Sequence, residues 1–194
     1  MQTIAWDIDD VLIDLMRSWL EAFWLPSHPD CSLRYEEISE NPPHRLLGVS
    51  LDEYLASLDA FRLSGAAEQL PPIPEVLAWF RQYGEHSRHI ALTTTPLRSA
   101  PVSAAWVTYH LGRWIRSFNL VPSKREGERV PVYDQSKVDF LRWWGKADIF
   151  VDDRAANVKA VEAFGIRGIL MPQPWNQSSL TITETLECLA RLVQ

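Results

Sequence analysis

The chain holds 194 residues, 46% of them hydrophobic and 23% charged, with a formal net charge of −6. That mixture is too apolar for a disordered chain, and the length suits one substantial core rather than a multidomain assembly. The acidic balance gives no electrostatic reason to expect a nucleic acid polymer or an anionic membrane as partner, and Cys31 and Cys188 lack the spacing of a disulfide framework or a zinc site.

The first expected element is a short buried strand, Thr3-Ile4-Ala5-Trp6, ending at Asp7. No apolar run approaches the roughly 20 residues that span a bilayer, and Met1 leads into this strand without a basic leader, so a cytoplasmic location is expected. Asp14 to Leu25 then carries an apolar stripe, and Ser50-Leu51-Asp52-Glu53 forms a capping box opening a helix to about Phe61. Pro26, Pro29, Pro42, Pro43, Pro71 and Pro72 punctuate the remainder. So long an excursion reads as a second helical unit rather than a loop. The expected organisation is an α/β core over residues 1–14 and 72–194 with a small helical cap over 15–71.

From there the pattern alternates. A helix over Pro74 to Tyr83 closes at Gly84; a strand, His89-Ile90-Ala91-Leu92, ends in Thr93-Thr94-Thr95-Pro96; another, Phe118 to Val121, stops at Pro122. Ser136 precedes a helix over Lys137 to Trp144, a strand from Asp148 to Val151 ends in Asp152-Asp153, a helix from Ala155 to Phe164 closes at Gly165, and Gly168 to Met171 forms the last strand. Strands alternating with helices imply right-handed crossovers and a doubly wound parallel sheet.

In such a sheet ligands bind beyond the carboxyl ends of the strands. The residues expected there are Asp7, Asp9 and Asp10, then Thr94 and Thr95, then Asp152 and Asp153. Two carboxylates about 4 Å apart repel by roughly 4 kcal/mol at an effective dielectric near 20, so a converging set needs a cation. Hard oxygens with no histidine or cysteine among them favour Mg²⁺, which commonly completes its shell with phosphate and water. Lys137, at the start of the helix leading to the fourth strand, would add positive charge toward a bound anion. Lys124, directly after the third strand, is the alternative.

These motifs resemble those of the haloacid dehalogenase superfamily over nearly the whole chain. They are Ala5-Trp6-Asp7-Ile8-Asp9-Asp10-Val11-Leu12, Ile90-Ala91-Leu92-Thr93-Thr94, Lys137, and Ile149-Phe150-Val151-Asp152-Asp153-Arg154. The resemblance implies strand order 3-2-1-4-5 and a cap after the first strand. It implies Asp7 as a nucleophile forming an aspartyl-phosphate, and Asp9 as the acid and base that serves the leaving alcohol and then water. It also implies Mg²⁺ held by Asp7, Asp9 through its backbone carbonyl, and Asp152 or Asp153, with Thr94 and the lysine on the phosphoryl oxygens. Members that cleave haloalkanoates lack the second aspartate, so phosphate chemistry is favoured. Asp10 stands where many relatives have glycine and is expected to cap the turn.

Within the superfamily the chain is similar to the 5′(3′)-deoxyribonucleotidases at Thr94-Thr95-Pro96, at Ala105-Trp106-Val107 with Leu111-Gly112, at Val151-Asp152-Asp153-Arg154 and at Asn176-Gln177. The expected substrate is therefore a small phosphorylated metabolite, with a nucleoside monophosphate as the specific expectation. Thr95, Arg98 and Arg154 are candidate phosphate contacts. Trp19, Phe23, Trp24, Tyr54 and Phe61 either form the cap's core or offer stacking faces, with Trp19 and Phe23 on one helical face and Phe23 and Trp24 as candidate base contacts. The five histidines read as surface or packing residues, and Glu36-Glu37 and the run from Lys124 to Arg129 as solvated segments. The alternatives are a phosphotransferase or mutase, a sugar-phosphate phosphatase, and a non-catalytic binding protein that keeps the fold; self-association is left open.

Overall fold

A computed structural model describes residues 1–194. Five parallel strands, β1 (Thr3–Trp6), β2 (Arg88–Thr93), β3 (Ile115–Leu120), β4 (Ile149–Asp152) and β5 (Arg167–Leu170), form one sheet in the order β3-β2-β1-β4-β5. β1 is the central strand, registered with β2 through Trp6 and Ala91 and with β4 through Trp6 and Val151. The fold class is the one the sequence implies. β3 begins three residues earlier than the apolar run from Phe118 suggests, because only Ile115 of its first half is buried and Arg116 and Ser117 are exposed at the sheet edge, leaving no apolar run to read.

Alternation along the strands sends side chains to two buried faces. Ile4, Trp6, Ala91, Ile149 and Val151 enter a large cluster covered by α5 (Pro74–Tyr83), α6 (Ala100–Leu111) and α9 (Ile182–Val193). Ala5, Ile90, Leu92 and Phe150 enter a smaller cluster under α7 (Lys137–Trp144) and α8 (Ala155–Glu162). Helices on both faces leave the strand ends as the open surface. β5 packs so closely on α8 that a Cβ at Gly168 would lie 2.5 Å from Val158 Cγ1, which is why glycine stands there. α7 stops at Gly145, whose φ of 64° is the left-handed conformation of a helix cap. α6 and α9 lie outside the elements expected from the sequence.

Residues 15–71 contain no strand. They hold α1 (Leu15–Trp19), a π-helical turn (Leu20–Trp24), α2 (Leu25–Ser27), α3 (Leu51–Arg62) and α4 (Gly65–Glu68). Ser50 caps α3 by accepting the Glu53 N–H. The segment leaves and rejoins the sheet at one point: Ile13 bridges Pro72, and the Ile73 N–H donates to the Leu12 carbonyl at 2.9 Å. Trp19, Trp24, Tyr54 and Phe61 are buried and belong to the same cluster as Trp6. The π-turn corrects the expected pairing. A π spacing aligns residues five apart, so Trp19 meets Trp24, with ring centroids 5.3 Å apart, while Phe23 turns to Phe61. No helix is long and apolar enough to cross a membrane.

Candidate active site

Because β1 lies between β2 and β4, the chain leaving β1 is flanked by the ends of both neighbours. Asp7 N–H continues the ladder to the Val151 carbonyl at 2.9 Å, which sets Asp7 beside Asp152. The turn that follows puts Asp10 at φ 60°; its Oδ1 accepts the Met16 N–H at 2.8 Å and caps the turn, as expected from its position. Gln173 Nε2 donates to the Asp10 carbonyl, and Tyr35 donates in turn to Gln173 Oε1, tying the left-handed residue to the strand-free segment.

Asp7, Asp152 and Asp153 are all buried and bring carboxylate oxygens within 4.8 Å of one another. Lys137 reaches into them from the first turn of α7, its Nζ 2.5 Å from Asp7 Oδ2 and 2.8 Å from Asp152 Oδ2. A cation at a helix N-terminus opposes the helix dipole, so these two acids hold it there. Burial alone would lower the lysine's pKa, but Asp7 and Asp152 hold it above the ordinary range. Burial also drives Asp7 well above its ordinary value, against the pull of Lys137 and with the added repulsion of Asp152 and Asp153. Asp153 is pushed up to about 6 by burial and then by Asp152, with Lys137 opposing. With all three carboxylates ionised, they and the one ammonium carry a net charge of −2, the charge that one divalent cation would balance.

The two adjacent acids differ in how they are held. Asp152 is filled by the protein: Oδ2 accepts from Lys137, and Oδ1 accepts the Arg154 N–H at 2.8 Å and Asn157 Nδ2 at 3.1 Å. Asp153 accepts the Trp175 indole N–H at 2.8 Å on one oxygen and faces the cleft. Its backbone carbonyl is fixed by Asn176 Nδ2 at 2.7 Å.

These groups open into a cleft of about 340 Å³ lined by Asp7, Asp9, Thr94, Lys137, Asp153 and Arg154 among others. Other expected residues lie elsewhere. Thr95 is buried and pairs with Ser99 through the two hydroxyls at 3.0 Å, because successive side chains leaving β2 point to opposite sides. Arg98 is half-exposed outside the cleft lining and donates to Asp59. Phe23 and Trp24 pack in and against the core and do not line the cleft; Trp24 stacks on His28 with centroids 3.7 Å apart. Lys124 is exposed and outside the cleft, so Lys137 is the lysine that meets the acids. Asp9 lines the cleft, and its Oδ2 is tied to Arg62 Nη2 at 2.7 Å. Arg125, in the segment expected to be solvated, is instead nearly buried against Asp59. Arg62, Arg125 and Asn157 carry no motif; only the three-dimensional fold brings them to the cleft.

No family model matches this sequence, and no curated protein does. Solved structures do. A haloacid dehalogenase-like family hydrolase from Streptococcus pneumoniae superposes with a TM-score of 0.66 at 15% identity, covering 99% of this chain and 98% of the other. A provisionally assigned beta-phosphoglucomutase from Thermotoga maritima gives 0.60 at 17%, with 99% and 100% covered. An L-2-haloacid dehalogenase gives 0.55 at 16%, with both chains fully covered. The fold is thus that of haloacid dehalogenase-like hydrolases, and at these identities the likeness speaks to fold alone.

Proposed function

We propose that the protein is a Mg²⁺-dependent phosphomonoesterase that works through an aspartyl-phosphate on Asp7. The observation that carries this reading is the buried meeting of Asp7, Asp152 and Asp153 around Lys137, with Asp9 beside them on the cleft wall. The hard-oxygen donor set and its net charge of −2 fit Mg²⁺, with Asp7, the Asp9 carbonyl and Asp153 as the groups that would hold it. Bound there, the ion would neutralise the acids and polarise phosphoryl oxygens. Asp152, whose oxygens are already engaged, acts by holding Lys137.

The chain's own residues divide the chemistry. A carboxylate oxygen of Asp7 attacks phosphorus as the bond to the leaving oxygen breaks, and Asp9 gives that oxygen its proton. Water then attacks the phosphorus, Asp9 takes the water's proton, and the bond to Asp7 breaks to restore the carboxylate. Lys137 and the Thr94 hydroxyl stabilise charge on the phosphoryl oxygens. Asp9 can do this only once Arg62 releases its carboxylate. The strand-free segment 15–71, which contributes Tyr54, Leu58 and Arg62 to the cleft, serves as the cap.

The resemblance of short motifs to deoxyribonucleotidases favours a nucleoside monophosphate, whereas the cleft offers a base no open ring face, its one aromatic being the buried Tyr54. The phosphoglucomutase assignment of one structural neighbour keeps phosphoryl transfer between sugars in the same frame. A phosphate-release screen with Mg²⁺ over nucleotides, sugar phosphates and small phosphorylated acids, run beside Asp7→Asn, tests the reading. Release by the wild type and none by the variant supports it; no release from any ester, with no Mg²⁺ binding by calorimetry, removes it.

A further inference from the structure

Three arginines converge on one buried carboxylate at the cleft. Asp59, near the end of α3, is 1% exposed and accepts from Arg62 Nη1 at 3.1 Å, from Arg98 Nη2 at 3.0 Å, and from Arg125 through Nε at 2.6 Å and Nη2 at 2.9 Å. Burial opposes its ionisation, yet the guanidinium contacts, Arg125 foremost, hold its pKa below the ordinary value. Arg62 also donates to Asp9. In the cleft Arg62 and Arg125 balance the carboxylates of Asp59 and Asp9, Arg98 reaches Asp59 from outside it and is half-exposed, and Arg154, with no ion pair of its own, lines the same cleft.

One two-pronged arginine balances the charge of a carboxylate. Further guanidinium groups taken out of water cost free energy unless an anion joins them. Arg62 shows that cost directly, since its Nε is buried with no acceptor. Arg62 and Arg125 line the cleft that holds Asp7 and Lys137, so a ligand with its phosphoryl group on those two lies within the same cavity as both arginines.

We propose that Arg62 and Arg125, held in place by Asp59, form a second anion subsite, and that the substrate is a phosphomonoester whose leaving group bears a carboxylate or a second phosphate. The inference rests on the phosphomonoesterase reading and narrows its substrate class. A planar guanidinium fork matches either anion, and a neutral leaving group leaves the Arg62 Nε without an acceptor and Arg154 without an anion.

The test is phosphate release with Mg²⁺ on matched pairs: 2-phosphoglycolate against 2-hydroxyethyl phosphate, 3-phosphoglycerate against glycerol 3-phosphate, and fructose 1,6-bisphosphate against fructose 6-phosphate. The first two pairs read the carboxylate and the third the second phosphate. The wild type should prefer the more anionic member of at least one pair by roughly ten- to hundredfold in kcat/KM, the worth of one hydrogen bond to a charged group. In Arg125→Met that ratio should collapse, mainly through KM, and Arg125→Lys should restore part of it. Calorimetric titration of Asp7→Asn with 2-phosphoglycolate and 2-hydroxyethyl phosphate should show the same preference without turnover. Equal use of both members by the wild type overturns the inference. So does an equal fall for both members in Arg125→Met, which is the signature of a cluster that only fastens α3 to its neighbouring loops. Release from no ester at all would instead overturn the phosphomonoesterase reading, and this inference with it.

Discussion

Replacing Asp153 by asparagine should make the metal-free protein more stable. Burial, and then the charge of Asp152, push the Asp153 carboxyl up to about 6 from an ordinary 3.8. An acid whose pKa rises on folding binds its proton more tightly when folded, so its ionisation opposes folding, fully so above pH 6 and not at all below pH 3.8. The gap corresponds to about 3 kcal/mol at pH 7.5. Asparagine removes the charge and keeps an oxygen for the Trp175 indole N–H, 2.8 Å away. Allowing for an imperfect amide fit, the gain is about 1–3 kcal/mol, which in a chain of this size raises Tm by about 2–4 °C per kcal/mol. Urea unfolding at pH 7.5 in EDTA and again with Mg²⁺ provides the assay. The variant should unfold at higher urea than the wild type in EDTA, and Mg²⁺ should stabilise the wild type far more than the variant. A lower or equal midpoint in EDTA, or the same response to Mg²⁺, would refute the argument that the cluster is a strained acid site awaiting a cation.

Lys137→Met should cut phosphate release by roughly 10²–10³-fold, as for loss of one transition-state donor, and destabilise the metal-free protein by about 3–5 kcal/mol as a buried ion pair is broken; stopped assays and urea melts in EDTA read the two effects. His89 should titrate near 4: burial lowers it, with Gly84 opposing, and its Nδ1 already accepts the Trp6 indole N–H at 3.0 Å while Nε2 meets the Gly84 carbonyl at 2.8 Å. Between pH 6.5 and 4 the unfolded chain takes this proton and the folded one does not, so His89 removes up to about 3 kcal/mol of stability as pH falls; imidazole NMR in which all five histidines titrate near 6.5 would contradict this. Gly168→Ala should cost about 1–3 kcal/mol by overpacking against Val158; an unchanged melting temperature would show that α8 gives way.

Much of this architecture is legible before folding because strand ends, proline and glycine stops, and the capping serines are local signals. Asp7, Asp152, Asp153 and Lys137 are found for the same reason: each sits at the end or start of an element, and the parallel topology then brings them together. Thr95 shows the limit, since one position along a strand end reverses the direction of a side chain. Phe23 and Trp24 show another, where a π-turn invisible in the apolar pattern rotates the stripe, buries Trp24 and packs the half-buried Phe23 against Phe61. α6 spreads its small, apolar and polar residues around the axis and carries little amphipathic period to read, while α9 does carry one, with a Thr181–Glu184 capping box, beyond the last strand where no crossover requires a helix. The Asp59 cluster has no local signature, because its arginines come from three separate parts of the chain and meet only at one buried carboxylate.

The most direct test is to ask whether Asp7 becomes phosphorylated. Enzyme turning over a hydrolysed ester with Mg²⁺ would be quenched in acid, reduced with borohydride, digested, and the peptide containing residue 7 sequenced by mass spectrometry. Asp7 acting as nucleophile predicts homoserine at position 7, the reduction product of an acyl phosphate, dependent on both substrate and Mg²⁺. Unmodified aspartate at position 7 in an enzyme that is releasing phosphate would contradict it.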